Sequence, residues 1–136
     1  MKYLTVKDVL LLHQMQIDEF GGSHGLRDLG LLESAVMRPH VIFDGNDFYE
    51  TVYDKAAALV YSLLMNHQFV DGNKRTAMFS VMTFLELNGY LFNAKQKEVV
   101  EYALYIENSH PEIEEISIWL ENHSKKVIKR ENTGRI

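Results

Sequence analysis

The sequence predicts an all-α domain, and three observations point to that class. Helix start and stop signals divide most of the chain, a nearly all-apolar stretch runs from Ala77 to Leu87, and only residues 40–50 favour β structure. With 136 residues and 46% hydrophobic content, the chain suffices for one domain that buries about two-thirds of its unfolded surface. We expect this domain over residues 1–124, followed by a tail that frays from Lys125 to Ile136.

The N-terminal segment carries the signals of two helices. Thr5 with Asp8 has the pattern of a capping box, and Gly21-Gly22 ends the helix that it opens. His13 falls on the apolar side of this helix, where a lone histidine is usually a core-edge residue. A second helix is expected from Asp28 to Met37, stopped by Arg38-Pro39 because the residue before a proline disfavours helical geometry.

Residues 40–50 predict a β-hairpin. Val41-Ile42-Phe43 and Phe48-Tyr49 are β-prone, and Asp44-Gly45-Asn46-Asp47 between them is a turn sequence. The hairpin could serve a substrate or could merely cover the core.

The middle of the chain predicts two helices around a polar loop. The first spans the apolar segment from Thr51 to Asn66, and the second contains Ala77 to Leu87. Because the second is apolar nearly all round, it should lie at the centre of a bundle. Asn73 is a favourable N-cap residue for it. Further helices are expected from Gln96 to Asn108 and from Glu112 to His123, with Pro111 between them.

The start of the central helix has the composition of an anion site. Gly72, Asn73 and Lys74 stand where unpaired backbone N–H groups and the positive end of the helix dipole attract phosphate. Lys74 and Arg75 add full charges, and arginine can grip phosphate oxygens in bidentate fashion. Gly72 allows a sharp turn.

The other end of the loop offers a base and a metal ligand. His67 can accept a proton from an attacking hydroxyl near neutral pH. Asp71 can hold Mg²⁺, which prefers carboxylate oxygen. Taken singly, each residue also fits an ordinary turn, cap or solvated charge, so the combination carries the prediction.

The string His67-x-Phe69-x-Asp71-Gly72-Asn73-Lys74-Arg75 resembles the signature of the Fic superfamily, and its lysine is typical of the death-on-curing (Doc) branch. The segments from Gly21 to Ala35 and from Thr83 to Tyr90 are also similar to that branch. The resemblance implies a Fic-like helical bundle with a hairpin flap that aligns a target peptide. It assigns the role of general base to His67 and the binding of Mg²⁺ to Asp71. Gly72 with Asn73 would form an anion-binding nest, and Arg75 would contact the nucleotide phosphates.

Two positions depart from the AMP-transferring pattern of the superfamily. Lys74 replaces a second glycine, and Met78 replaces a second arginine. The resemblance then implies a toxin that uses ATP and Mg²⁺ to phosphorylate a threonine of elongation factor Tu, with Asn73, Lys74 and Arg75 on the phosphates. The alternatives are AMP transfer to a protein hydroxyl and a non-catalytic domain that binds a protein partner.

Regulation has two candidate forms. The resemblance implies an antitoxin whose disordered segment folds as a helix into a groove near the site, for which the first two helices are candidate walls. The stretch Ser117-Ile118-Trp119-Leu120-Glu121-Asn122 fits a short inhibitory pattern found in some Fic proteins, but Ile116, Trp119 and Leu120 suffice to explain this helix as core packing, and we favour that explanation.

The composition of the chain narrows the partners, the cysteine chemistry and the cellular location that we expect. The net charge of −5 argues against a nucleic-acid partner. Zero cysteines exclude disulfides, thiolate nucleophiles and cysteine zinc sites. The start of the chain lacks the layout of a signal peptide and no apolar run approaches membrane length, so we expect a cytoplasmic protein without a membrane partner. The oligomeric state stays open.

Overall fold

The computed structural model describes residues 1–127 and shows an all-α fold, as predicted. Its helices are α1 (Val6–Phe20), α2 (Leu29–Met37), α3 (Val52–Met65), α4 (Asn73–Leu87), α5 (Gln96–Ser109) and α6 (Ile113–Asn122). A 3₁₀ turn (Arg38–His40) follows α2, and two antiparallel pairs of short strands complete the fold. These are β1 (Ile42–Phe43) with β2 (Asn46–Asp47), and β3 (Tyr90–Phe92) with β4 (Ser124–Lys126).

The core lies between α3 and α4. The predicted central helix, α4, buries seven residues, while α3 buries ten, so the two helices share the centre of the bundle. Alanines on both helices allow a close approach, and larger side chains fill the remaining space. The buried residues that define this centre include Ala56, Leu59, Leu63, Ala77, Val81, Phe84 and Leu85.

Capping side chains set the beginnings of three helices. Thr5 and Thr51 each accept a backbone N–H three residues on, and the aspartate at that position returns the bond, which forms two complete capping boxes. The box at Thr5 and the end of α1 at Gly21 confirm the predicted first helix. Asp28 caps α2, whose end at Met37 was also predicted.

The hairpin is present, but its second strand lies earlier than predicted. Ile42 pairs with Asp47 and Phe43 with Asn46, so the turn contains only Asp44 and Gly45. Both turn residues have positive φ, 53° and 80°, as the tightest hairpin turn requires. The strand therefore resumes at Asn46 and not at Phe48.

The base of the hairpin is anchored to the first turn of α3. Lys55 is fully buried, donates to the Asp47 carboxylate at 3.1 Å and also donates to the Tyr49 carbonyl. A buried ammonium needs such partners because desolvation would otherwise disfavour its charge.

The C-terminal part corrects one expectation. Both predicted helices, α5 and α6, are present. The tail was expected to fray from Lys125, but Lys125 pairs with Leu91 and Lys126 with Tyr90. Strand pairing uses backbone groups, which a charged side-chain pattern does not reveal. The rest of the predicted tail, residues 128–136, lies outside the described part. None of the helices within residues 1–127 has the length and apolar character to cross a bilayer.

Candidate active site

The loop from Asn66 to Gly72 joins the two central helices and opens into a cleft of about 820 Å³. Of its lining groups, His67, Val70, Asp71 and Gly72 come from the loop, and the others come from α1, α4, α5 and the residues next to them. The volume falls in the range of small-molecule sites. The structure thus brings together all six residues that the sequence predicted for the site, namely His67, Asp71, Gly72, Asn73, Lys74 and Arg75.

His67 lies where α3 has ended, with its backbone in the left-handed region (φ 46°). This conformation is uncommon for a residue with a side chain. His67 is exposed and lines the cleft. Its imidazole is therefore accessible to a hydroxyl group that enters from solvent.

The N-terminus of α4 forms the opposite side of the loop. Gly72 has φ 76° and precedes the first helical residue. The first backbone hydrogen bond of α4 runs from the Thr76 N–H to the Gly72 carbonyl. Among the described residues, no acceptor is found for the N–H groups of Asn73, Lys74 and Arg75, so three donors stand at the positive end of the helix dipole.

Asn73 is not the N-cap that the sequence predicted. It is the first residue of α4, and its side chain turns back into the loop. The amide donates to the Phe69 carbonyl at 2.9 Å, while its oxygen accepts the Phe69 N–H at 3.0 Å and the Gln68 amide at 3.2 Å. An asparagine side chain can both donate hydrogen bonds to a loop and accept them from it. Here it does so for the loop, and Gly72 takes the N-cap position of α4. The backbone N–H of Asn73 faces the anion site, while its side chain stabilises the loop.

Asp71 is held from three directions. Its carboxylate accepts the N–H of Gly72 at 2.8 Å and that of Ser23 at 3.1 Å. Its carbonyl oxygen is 2.8 Å from Nε2 of His13. One carboxylate suits Mg²⁺, whose nucleotide sites take most of their ligands from phosphate and water. Within the described residues, no three His, Asp or Glu side chains lie close enough together to hold a metal ion by themselves.

The two cations of the loop are paired differently. The ammonium of Lys74 is 3.2 Å from the carboxylate of Glu107 on α5. The guanidinium of Arg75 lies over the ring of Phe20 on α1, 4.8 Å from its centroid, as in a cation–π contact. Both side chains also line the cleft.

Residues 21–28, between α1 and α2, run along the loop, and we call this segment the strap. The Val70 N–H donates to the Gly25 carbonyl at 3.0 Å, and Leu26 forms a β-bridge with Phe69. The Arg27 side chain donates to the carbonyls of His67 at 2.7 Å and Asn66 at 3.2 Å. A cation favours the carbonyl end of a helix, so Arg27 caps α3 and fixes the backbone of His67.

Sequence reasoning placed His13 at the edge of the core, and the structure confirms that it is buried. It also shows more, because the imidazole stacks on Phe69 with ring centroids 3.8 Å apart while it contacts the Asp71 carbonyl. The roles of His13, Arg27 and Glu107 were missed. The glycines around Arg27 indicated a loop, but no local pattern connects residues more than 30 positions apart.

The stretch on α6 that fits the inhibitory pattern packs in the core, as favoured from the sequence, with Ile116 and Leu120 buried. Ser117 is buried and donates to the Asp54 carboxylate on α3 at 2.7 Å. Within residues 1–127 the cleft takes no lining residue from α6, because that helix packs on α3.

The hairpin likewise contributes no residue to the cleft in the described structure. Its anchor, Lys55, lies roughly 15 Å along α3 from the end of that helix. The flap role therefore stays a prediction.

Fold and site together define a helical domain built around one loop that joins an accessible histidine to the free N–H groups of a helix N-terminus. The family model described as "Fic/DOC family" matches residues 3–85. The chain therefore belongs to the Fic/DOC family, and its similarity to proteins named Doc places it on the Doc branch.

Two curated relatives show this similarity. The chain is 49% identical over 88 residues to "Toxin Doc" of Mycolicibacterium smegmatis, which covers 65% of each chain. It is 28% identical over 89 residues to "Protein kinase doc" of Escherichia phage P1, which covers 65% of this chain and 70% of that protein. The chain thus spans just under two-thirds of the length of the first relative.

Proposed function

We propose that this protein is a Doc-type toxin of a toxin–antitoxin pair. As a protein kinase, it transfers the γ-phosphate of ATP to a serine or threonine hydroxyl of a translation factor similar to elongation factor Tu. The observation that carries the proposal is that His67 and the three free N–H donors of α4 line one cleft. The relatives named "Toxin Doc" and "Protein kinase doc" support it.

Each group in the cleft has a role in this reaction. His67 accepts the proton of the attacking hydroxyl, a step worth roughly 100- to 10,000-fold in rate. The N–H groups of Asn73, Lys74 and Arg75 and the Arg75 guanidinium hold phosphate oxygens. Asp71 holds Mg²⁺, which neutralises developing charge on the phosphates. Phosphoryl transfer needs little more from a protein than such positioning and neutralisation.

Two side chains favour phosphoryl transfer over AMP transfer. Met78, at the position of the second arginine in AMP-transferring relatives, lines the cleft with an uncharged and nearly buried side chain. Lys74 stands in place of the second glycine and extends towards α5. A nucleotide oriented for AMP transfer therefore loses a phosphate contact and the space beside the helix tip.

The proposal includes an antitoxin that binds through a helix beside the cleft, and a cytoplasmic site of action where translation proceeds. Of the two helices predicted as walls of the groove, α1 lines the cleft through Gln16, Glu19 and Phe20. Within the described residues the cleft takes its other side from α5 and none from α2, so α2 as a wall of the neighbouring groove stays a prediction. Phe20 is exposed and offers an apolar contact at this edge.

The test is to incubate the protein with ATP, Mg²⁺ and purified elongation factor Tu and to read the intact mass of the target. We expect the increment of one phosphate. The increment of an adenylyl group would establish AMP transfer instead. If the target stays unmodified while His67→Asn arrests growth as strongly as the parent protein, the function is binding and not catalysis.

A further inference from the structure

The ion pair between Lys74 and Glu107 crosses the cleft. Lys74 lies in the first turn of α4 and Glu107 lies near the end of α5, and both side chains line the cavity. The Glu107 side chain is only 15% exposed, whereas that of Lys74 is 49% exposed. The carboxylate is thus the more deeply placed charge, and the ammonium covers it from the solvent side.

This arrangement changes the charge of the site. The loop and the first turn of α4 carry Asp71, Lys74 and Arg75, which sum to one positive charge. Glu107 cancels that excess, and Glu19 on α1, which also lines the cleft, brings the sum of these five formal charges to −1. Charges that are partly withdrawn from water interact more strongly than exposed ones, so repulsion from Glu107 offsets part of the attraction that Lys74 exerts on a phosphate in the cleft.

We propose that the Lys74 side chain neutralises Glu107 and does not itself grip phosphate, and that Glu107 limits how tightly the cleft holds a polyphosphate. This inference rests on the proposed phosphate site. Glu107 lies outside residues 3–85, which match the family model. The ion pair therefore joins Lys74, a residue of the family signature, to a helix that lies beyond the matched residues.

A double-mutant cycle separates neutralisation from direct binding. Calorimetry measures the dissociation constants of ATP with Mg²⁺ and of inorganic tripolyphosphate for the parent protein, Glu107→Gln, Lys74→Met and the double variant. Removing the carboxylate should tighten binding by about three- to tenfold, and removing the ammonium should weaken it by about tenfold or more. With both charges removed, binding should return to within about threefold of the parent value.

Two control variants carry the same charge changes outside the cleft. Glu101→Gln and Lys97→Met lie on exposed positions of α5, and each should shift the dissociation constants by less than about twofold. Circular dichroism confirms that the variants are folded before binding is compared.

Two outcomes overturn the proposal. If Glu107→Gln weakens binding or leaves it unchanged, Glu107 does not limit it. If Lys74→Met and the double variant are equally weak, Lys74 contacts phosphate directly.

The proposed function has a separate readout. A parent protein that binds ATP but modifies no target refutes the kinase and leaves the charge pair standing. A parent protein that phosphorylates its target while the cycle fails refutes the charge pair alone.

Discussion

The two ends of the loop between α3 and α4 are held in different ways. At the His67 end, the strap pairs with the loop backbone and Arg27 caps the carbonyls of Asn66 and His67. At the helix-tip end, the functional groups are free N–H donors and two long cationic side chains. These cations rest on groups from other helices, Lys74 on Glu107 and Arg75 on Phe20.

The difference matches what each end has to do. A general base must keep its geometry, since a small misplacement costs much of the rate, and backbone pairing provides that rigidity. Groups that receive a triphosphate must be free to meet phosphate oxygens: the N–H donors of α4 are free, the Arg75 side chain can leave Phe20, and Lys74 acts through its pair with Glu107. Substitutions at the braced end should therefore lower the rate of transfer, while those at the tip should change nucleotide affinity.

The largest expected effect belongs to the proposed base. His67→Ala and His67→Asn should reduce phosphoryl transfer by roughly 100- to 10,000-fold with little change in ATP affinity. Asparagine is the sharper variant because it tolerates the left-handed backbone better than alanine. Rates come from labelled transfer and affinities from calorimetry. Equal losses of rate and affinity in His67→Asn would mean that the residue shapes the site and is not the base.

The second largest effect is expected when the hydrogen bond from the Ser23 N–H of the strap to the Asp71 carboxylate is disturbed. A Cβ on Gly22 would stand 2.7 Å from the Asp71 carboxylate, whereas one on Gly21 would meet nothing within 4 Å. Both glycines have positive φ, 115° and 87°, so each alanine variant carries backbone strain. Gly22→Ala should lower the rate by roughly tenfold or more and raise the Mg²⁺ concentration needed for half-maximal activity.

Gly21→Ala controls for that strain and should retain most of the activity and the parent Mg²⁺ requirement. Similar Mg²⁺ profiles for the two variants would show that the strap does not position the carboxylate.

A smaller loss of rate is expected from Arg27. Arg27→Ala removes two bonds to the end of α3 and should lower kcat by about tenfold while KM for ATP stays within about twofold. Arg27→Lys should recover part of kcat, because an ammonium can still donate to one carbonyl. Thermal denaturation distinguishes this from general destabilisation, because a smaller folded fraction would also lower the apparent kcat at unchanged KM but would come with a lower melting temperature.

The smallest effect is expected from Phe20, which contacts Arg75 at the N-terminus of α4. Phe20→Ala removes the ring beneath Arg75. An exposed cation–π contact contributes about 0.5–1 kcal/mol, so this variant should bind ATP roughly two- to fivefold more weakly than the parent protein. Phe43→Ala truncates another exposed phenylalanine, outside the cleft, and should leave the affinity unchanged. If both variants bind ATP like the parent protein, Arg75 does not depend on Phe20.

Most of the fold was predictable because its determinants are local. Capping boxes, helix-ending glycines and the apolar stretch of α4 each act within a few residues, and the structure follows them. The errors at the hairpin and at Asn73 were also local in origin, whereas the tail was misjudged because Lys125 and Lys126 pair with the distant strand β3. Asn73 satisfies the rule for an N-cap, but the loop behind it offered Phe69 and Gln68 as stronger partners.

The site residues were predictable as a set but not in their resting contacts. Their types and order within nine positions indicated phosphate chemistry. The strap, His13 and Glu107 reach the loop from 30 to 60 positions away, and such contacts depend on the packing of α1, α3, α4 and α5. The sequence gives no sign of these contacts. The N-terminus of α4 therefore appeared more positive from the sequence than it is beside Glu107 in the structure.

The most direct test compares ATP labelled in the γ-phosphate with ATP labelled in the α-phosphate, using the purified protein, elongation factor Tu and Mg²⁺, with His67→Asn in parallel. The account predicts that label reaches the target only from the γ-position and only with His67 in place. Label from the α-position, or γ-label transferred equally well by His67→Asn, would contradict it.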